Sequence, residues 1–141
     1  MPIADDDWAP LIPELVVEDL AASLRCWVDQ LGFEVMYRRD DPPFAMLRLG
    51  RAQVMLEQRN ATSWVTGPLE RPYGRGINLE IEHPDPQALA RRLEALGVAL
   101  WRPLRRSTYV VHGVPTVQLA VLVQDPDGYL LRFAHDVAAG T

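Results

Sequence analysis

Residues 15–38 read LVVEDLAASLRCWVDQLGFEVMYR, and residues 79–103 read LEIEHPDPQALARRLEALGVALWRP. Each segment begins with apolar and acidic residues in alternation, continues through an Asp into a helix-like stretch, and ends in Leu-Gly followed by a second alternating run. The hydrophobic period therefore changes from about 2 to about 3.6 and back again in both segments. This pattern predicts strand, helix and strand twice, which indicates a duplicated module.

The predicted helices carry start and stop signals. In the first, Asp19 is placed to cap the N-terminus and Gly32 to end the helix in the left-handed conformation. In the second, Asp85 is the cap, Pro86 occupies the first turn and Gly97 is the stop. Leucines recur at spacings of three and four between these signals, so each helix is expected to lay one face on a sheet.

Three strand-like runs follow the Leu-Gly of each segment, and Asp-Pro-Asp-Gly at 125–128 predicts the turn of a hairpin that spans 117–134. The predicted strands are 33–39, 44–49 and 53–58 in the first half, and 98–102, 117–123 and 129–134 in the second. The sequence thus predicts an α+β fold of two tandem βαβββ modules.

We expect one domain over residues 11–137, with modules at about 11–59 and 75–135 and a Gly- and Pro-rich connecting loop at 60–74. Residues 1–10 form a polar N-terminal arm. We expect the arm to be a frayed tail, with the packing of Trp8 on a partner subunit as the alternative.

Composition excludes several classes of function. The chain has 141 residues, of which 48% are hydrophobic, so it fits one globular domain. Its net charge of −5 disfavours nucleic acid and anionic lipid as partners. No apolar run approaches the length of a membrane span, and the acidic residues at 5–7 do not resemble a signal peptide. With Cys26 as its only cysteine, the protein is expected to be cytoplasmic, with Cys26 as a small buried hydrophobic residue.

The motifs PELVVED (13–19), CWVDQLGFEV (26–35) and DPDGYLLRF (125–133), together with the duplication, resemble the vicinal oxygen chelate superfamily, and most closely its bleomycin-resistance-type proteins. The resemblance extends over about residues 11–135. It implies two modules whose curved, cupped mixed sheets surround a cleft, commonly in a homodimer. In the metalloenzymes of the superfamily, two His, Glu or Gln side chains from each module hold a divalent ion.

The metal-ligand positions implied by this resemblance fall on Ile12, Glu57, Asn78 and Arg132. Only Glu57 is a good ligand, because isoleucine has no donor atom, an amide is a weak donor and an arginine repels a cation. The chain also has three histidines, His83, His112 and His135, and no two of them show the spacing of a metal-binding helix or knuckle. We therefore expect neither a metal nor another cofactor.

The aromatic and acidic residues suggest a ligand site instead. Aromatic side chains in loops and beside arginines can stack on a planar ligand, although packing within the core is the alternative for each residue. Glu80 and Glu82 alternate with Leu79 and Ile81, so they lie either in a ligand cleft or on the solvent face. The predicted ligand-binding residues are Phe44, Glu57, Trp64, Trp101, Tyr109 and Arg132.

These observations favour a binding protein without catalytic residues, which sequesters a planar, basic antibiotic or metabolite in the cleft of a homodimer. The alternative is an enzyme of the same superfamily, such as a lyase, isomerase or dioxygenase, with a degenerate or absent metal site. In a metal-free enzyme, Glu57 would act as general base beside Arg132.

Overall fold

The computed structural model describes residues 7–138, which divide into two units at the Glu70/Arg71 boundary. The first unit contains β1 (Glu14–Val17), α1 (Leu20–Leu24) with a π-helical continuation (Arg25–Gln30), β2 (Glu34–Asp40), β3 (Pro43–Leu49) and β4 (Ala52–Gln58). The second contains β5 (Asn78–Glu82), α2 (Pro86–Ala95), β6 (Arg102–Val111), β7 (Val114–Gln124) and β8 (Leu130–Ala138). No helix within residues 7–138 is long and apolar enough to cross a membrane.

Each unit contains one four-stranded mixed sheet. The strand order is β1-β4-β3-β2 in the first sheet and β5-β8-β7-β6 in the second, and the pairs β1/β4 and β5/β8 are parallel while the others are antiparallel. The same connectivity therefore occurs twice, and the predicted α+β fold of two βαβββ modules is confirmed.

The helix caps form as predicted. The Asp19 carboxylate accepts a hydrogen bond from the Ala22 amide at 3.3 Å, and the Asp85 carboxylate accepts one from the Ala88 amide at 3.0 Å. Gly32 and Gly97, which follow the helices, have φ of 87° and 76°. The one difference is that the second half of the first helix has wider, π-type turns.

The core of each unit lies between its helix and one face of its sheet. In the first unit, Trp27 is fully buried and its ring meets that of Phe33 at 5.0 Å between centroids. The amide of Leu20 donates to the Gln58 side chain at 3.0 Å, so the helix covers the face of β4 that carries Gln58. Cys26 is buried beside Trp27 in the π-helical segment, as predicted. We call the sheet face away from the unit's own helix the distal face.

The prediction for the sixth strand was wrong, because β6 begins at Arg102 instead of covering 98–102. Residues 98–101 connect the end of α2 to the sheet, and the amide of Trp101 donates to the Leu122 carbonyl at 2.9 Å from outside β6. Strands β7 and β8 are also longer than predicted. A tight turn at His112 and Gly113, both with positive φ, joins β6 to β7. Two such residues between valines are typical of a two-residue hairpin turn.

The prediction of a frayed arm was wrong for residues 7–9. The Gln53 side chain accepts from the Ala9 amide at 2.8 Å and donates to the Asp7 carbonyl. The rings of Trp8 and Tyr37 pack edge to face, with their centroids 6.0 Å apart and their planes at 83°. Residues 1–6 of the predicted arm lie outside the described residues.

His83 is expected to make the stability of the second unit depend on pH. Its Nδ1 accepts from the Asp85 amide at 3.0 Å, and burial lowers its pKa from 6.5, an effect that the Asp85 carboxylate opposes. As the pH falls below about 6.5, the unfolded chain binds the proton at this histidine first. The contribution of His83 to the free energy of unfolding therefore decreases as the pH falls toward the folded-state pKa, and it is constant well above 6.5.

We therefore expect urea midpoints at about pH 5.5 and about pH 7.5 to differ less in His83→Asn than in the wild type. His112→Asn is the control, because His112 is exposed in a turn with φ of 49°, a conformation that asparagine tolerates. An unchanged pH dependence in His83→Asn would contradict this interpretation.

Candidate functional site

The strand register places the acidic residues of β5 on the distal face of the second sheet. Glu80 lies opposite Arg132 and Glu82 opposite Ala134, whereas Ile81 between them is buried. Both glutamates are exposed and share a face with Arg132, whereas the aliphatic residue between them faces the core.

Gln118 on β7 connects two acidic residues of this face. Its Nε2 donates to Glu80 Oε1 at 2.7 Å and to Asp136 Oδ1 at 3.0 Å. Arg132 Nη1 lies 3.8 Å from Glu80 Oε1, which is an ion pair too long for a hydrogen bond. Arg132 Nε is buried and has no hydrogen-bond partner within residues 7–138. The Arg132 side chain is 31% exposed, so a ligand can reach the guanidinium only in part.

A pocket of about 340 Å³ lies at these side chains, and we call it the acidic pocket. It is lined by Glu80, Glu82, Gln118, Ala134, His135 and Asp136. Three carboxylates line it and one guanidinium lies beside it, so the local charge is negative. A basic group of a ligand would exchange its water shell for carboxylate oxygens there.

The distal face of the first sheet carries Glu57. Register places Glu57 opposite Phe44 on one side and Val16 on the other, so Glu14, two residues before Val16, shares this face. Burial and the nearby Glu57 carboxylate raise the pKa of Glu14, while Arg39 opposes the increase. The two carboxylates therefore repel each other across one sheet face.

The predicted ligand-binding residues occupy different surroundings. Phe44 is buried, and its ring is covered by Tyr37 and by the Arg39 guanidinium. Trp64 is 91% exposed in the loop after β4, and Trp101 is 56% exposed, just before β6 and not on it as predicted. Tyr109, which is outside the predicted strands, lies inside β6 and is 48% exposed.

Register shows which of these residues are neighbours within the second unit. Arg132 pairs with Leu122 on β7, and Tyr109 pairs with Thr116, six residues along the same strand. At about 3.3 Å per residue, Tyr109 is roughly 20 Å from Arg132. Trp101 is closer to Arg132, because its amide donates to the carbonyl of Leu122, which is the register partner of Arg132. The sequence did not identify Gln118 or Asp136, which join the site only through cross-strand pairing.

The residues at the metal-ligand positions of the superfamily do not fit a divalent ion. Ile12 has no donor atom, Asn78 is an amide beside Glu80 on β5, and the cation Arg132 is paired with Glu80. Glu57 is the one anionic donor of the four. Within residues 7–138, no group of three or more His, Cys, Asp or Glu side chains is arranged to hold a metal.

Among the solved structures similar to this chain, TioX and STM3117 agree with the fold. TioX from Micromonospora sp. ML1 is 20% identical over 92% of this chain and 100% of its own, with a TM-score of 0.68. Virulence protein STM3117 from Salmonella typhimurium is 18% identical over 95% and 98% of the two chains, with a TM-score of 0.65. A glyoxalase/bleomycin resistance protein/dioxygenase superfamily member from Vibrio splendidus 12B01 is 35% identical over 86% and 93%, with a TM-score of 0.39.

No curated protein sequence matches this chain. The sequence model described as Glyoxalase/Bleomycin resistance protein/Dioxygenase superfamily matches residues 11–133, which is most of the chain. The protein therefore belongs to the glyoxalase/bleomycin resistance protein/dioxygenase superfamily.

Proposed function

We propose that the protein binds a planar, basic small molecule, of the bleomycin type or a metabolite of similar chemistry, and sequesters it without chemical change. The observation that carries the proposal is the acidic pocket, in which Gln118 holds the Glu80 and Asp136 carboxylates beside Glu82. A basic group of the ligand would pair with these carboxylates, and an acceptor atom of the ligand would bind Arg132.

The exposed aromatic side chains support the planar part of this proposal. Trp64, Trp101 and Tyr109 each leave about half or more of their surface accessible. Flat rings that are accessible to solvent can stack on a heteroaromatic ligand and attract its positive charge. On the first unit, Glu57 lies beside a second carboxylate and offers a separate position for a cationic group.

The proposal includes a homodimer, because the resemblance to bleomycin-resistance-type proteins implies a binding cleft that a second subunit completes. The proposed location is the cytoplasm, because Cys26 is the only cysteine of the sequence. Size-exclusion chromatography at micromolar concentration tests the oligomeric state. A dimer is expected, and a stable monomer would contradict the shared cleft.

The function is tested by calorimetric titration of chelator-treated protein with metal-free and with copper-loaded bleomycin, followed by mass spectrometry of the recovered ligand. We expect saturable binding with about one ligand per chain, and a ligand of unchanged mass. The absence of heat at several temperatures would contradict bleomycin-type binding. A ligand of altered mass would favour the enzyme alternative.

A further inference from the structure

The outer side of β6 is an open edge of the second sheet. β6 is the last strand in the order β5-β8-β7-β6, and none of the described residues pairs with the side of β6 that points away from β7. The pairing of β6 with β7 is regular over residues 105–111. At about 3.3 Å per residue, this stretch is roughly 23 Å long, enough for another strand of ordinary length. We call the outer side of residues 105–111 the β6 edge.

The turn that joins β6 to β7 determines which backbone groups of the β6 edge are open. Val111 and Val114 flank this turn, and the flanking residues of a two-residue hairpin turn exchange hydrogen bonds. The amide and carbonyl groups of successive residues then point alternately toward β7 and outward. Those of Arg106, Thr108 and Val110 point outward. Donors and acceptors repeated at every second residue are the pattern with which an added strand pairs.

Only one end of β6 is closed to such pairing. The register with β7 shifts between Arg102 and Arg105, and Pro103, which has no amide proton, lies in this irregular stretch. Bulges and prolines are common means by which proteins block an exposed sheet edge. Neither occurs within residues 105–111, so the β6 edge keeps the geometry that strand pairing needs.

The β6 edge is positively charged although the protein has a net charge of −5. β6 carries Arg102, Arg105 and Arg106 and no acidic residue, and β7 has no charged residue. Arg105 and Arg106 are both exposed, and as neighbours in a strand they project to opposite faces of the sheet. Their charges therefore lie on both sides of the backbone at one end of the β6 edge.

The other end of the β6 edge is apolar. Val110 is 72% exposed and Val111 is 49% exposed, and Val114 on β7, which pairs with Val111, is 61% exposed. An added strand would remove part of this aliphatic surface from water. The β6 edge therefore offers a cationic end, an apolar end and a row of open backbone groups between them.

We propose that the β6 edge binds an extended acidic peptide, which becomes the fifth strand of the second sheet. In the antiparallel arrangement, which is the more stable one, apolar residues of the peptide lie beside Val110 and Val111. Two acidic residues toward its C-terminus lie beside Arg105 and Arg106, whose guanidinium groups pair with the carboxylates. None of these residues lines the acidic pocket, so the proposal goes beyond the proposed function.

Charge and backbone chemistry favour this partner over two others. A second copy paired antiparallel over residues 105–111 would place valines opposite Arg105 and Arg106, so no carboxylate would meet their guanidinium groups. A nucleic acid strand has phosphates, but its backbone has no donors for the outward carbonyl groups, and the net charge of the protein repels it. An acidic peptide supplies both the negative charge and the backbone donors.

The test measures fluorescence anisotropy of a labelled, capped heptapeptide, Thr-Val-Thr-Val-Thr-Glu-Glu, as the protein is added. We expect saturable binding that weakens as the salt concentration rises. Arg105→Gln/Arg106→Gln is expected to lower the affinity about tenfold, since each removed charge contributes about threefold at an exposed site. The matched control, Arg91→Gln/Arg92→Gln, removes two exposed arginines of α2 and is expected to change the affinity less than about twofold.

Backbone pairing is tested separately from charge. Thr108→Pro removes one outward amide proton, and proline is tolerated on an edge strand where the amide faces solvent. We expect it to lower the affinity several-fold, with circular dichroism verifying that the variant is folded. N-methylation of the peptide gives a test that leaves the protein unchanged. At even positions it removes amide protons that face the β6 edge and is expected to abolish binding, whereas at odd positions it is expected to preserve binding.

Several results would overturn the proposal. Absence of saturable binding, or equal effects of the two N-methylated peptides, would show that the β6 edge does not pair with a peptide strand. Equal affinity for a peptide with Lys-Lys in place of Glu-Glu, or for a DNA heptanucleotide, would contradict the chemistry of the partner. A change in the oligomeric state of Thr108→Pro without peptide would mean that a second copy occupies the edge. The bleomycin titration decides the proposed function separately.

Discussion

Gly128→Ala is expected to lower the free energy of unfolding by about 3 kcal/mol or more, the largest effect of any substitution considered for this protein. A Cβ atom at Gly128 would lie 2.5 Å from Pro72 Cα, which is a backbone atom that cannot rotate away. Gly128 also has φ of 100°, a conformation that alanine rarely adopts.

The clash is severe because the Asp-Pro-Asp-Gly turn is tied to the segment at Pro72. The Tyr73 amide donates to the Asp127 carbonyl at 2.9 Å, and Arg71 Nη2 donates to Asp127 Oδ1 at 2.9 Å. Asp125 fixes the turn itself by accepting from the Asp127 and Tyr129 amides. An alanine at 128 has to separate groups that these hydrogen bonds hold together.

Urea unfolding of Gly128→Ala and Gly113→Ala measures the effect. Gly113 is the matched control, because it also has positive φ, 76°, but a Cβ there meets no atom within 4 Å. We expect a loss of about 1 kcal/mol in Gly113→Ala from the backbone conformation alone. Equal losses in the two variants would contradict the docking of the turn on Pro72.

The second large effect is expected for ligand affinity. Replacing both Glu80 and Glu82 with glutamine is expected to weaken the binding of a basic ligand about tenfold, because each removed charge contributes about 0.5–1 kcal/mol at a solvent-accessible site. Glutamine has nearly the shape of glutamate, so the pocket keeps its size. Raising the salt concentration is expected to reduce the difference between the variant and the wild type.

Calorimetric titration of the double variant with metal-free bleomycin measures this effect. Glu94→Gln is the matched control, since Glu94 is an exposed glutamate on α2 in the same unit and does not line the pocket. Its affinity is expected to equal that of the wild type. Equal weakening in the control would mean that the net charge of the protein, and not the pocket, attracts the ligand.

The sequence was sufficient for the fold because the deciding signals are local. The signals that start and end the helices act on neighbouring residues only, at Asp19, Gly32, Asp85 and Gly97. The Asp-Pro-Asp-Gly turn likewise specifies the β7–β8 hairpin through its own side chains. The β6 strand was misplaced although its signal is also local. The arginines and the threonine of β6 hide the alternation of apolar and polar residues that marks a strand, and the prediction missed the two-residue turn at His112 that ends it.

The site was harder to predict because cross-strand register determines it. Gln118 meets Glu80 and Asp136 only because β8 lies between β5 and β7, and no local pattern in the sequence specifies that pairing. Trp8 was misjudged for a similar reason. Nothing in a polar, proline-flanked segment indicates that its backbone will hydrogen-bond to the side chain of Gln53, which lies 44 residues after Ala9.

The most direct test of the proposed function is to titrate ¹⁵N-labelled protein with metal-free bleomycin and to follow the amide resonances by NMR. We expect the largest changes at residues 80–82, at 118 and at 134–136, with saturation at about one ligand per chain. Changes confined to α2 or to the β6–β7 turn, or no changes at all, would contradict the account of the acidic pocket as the ligand site.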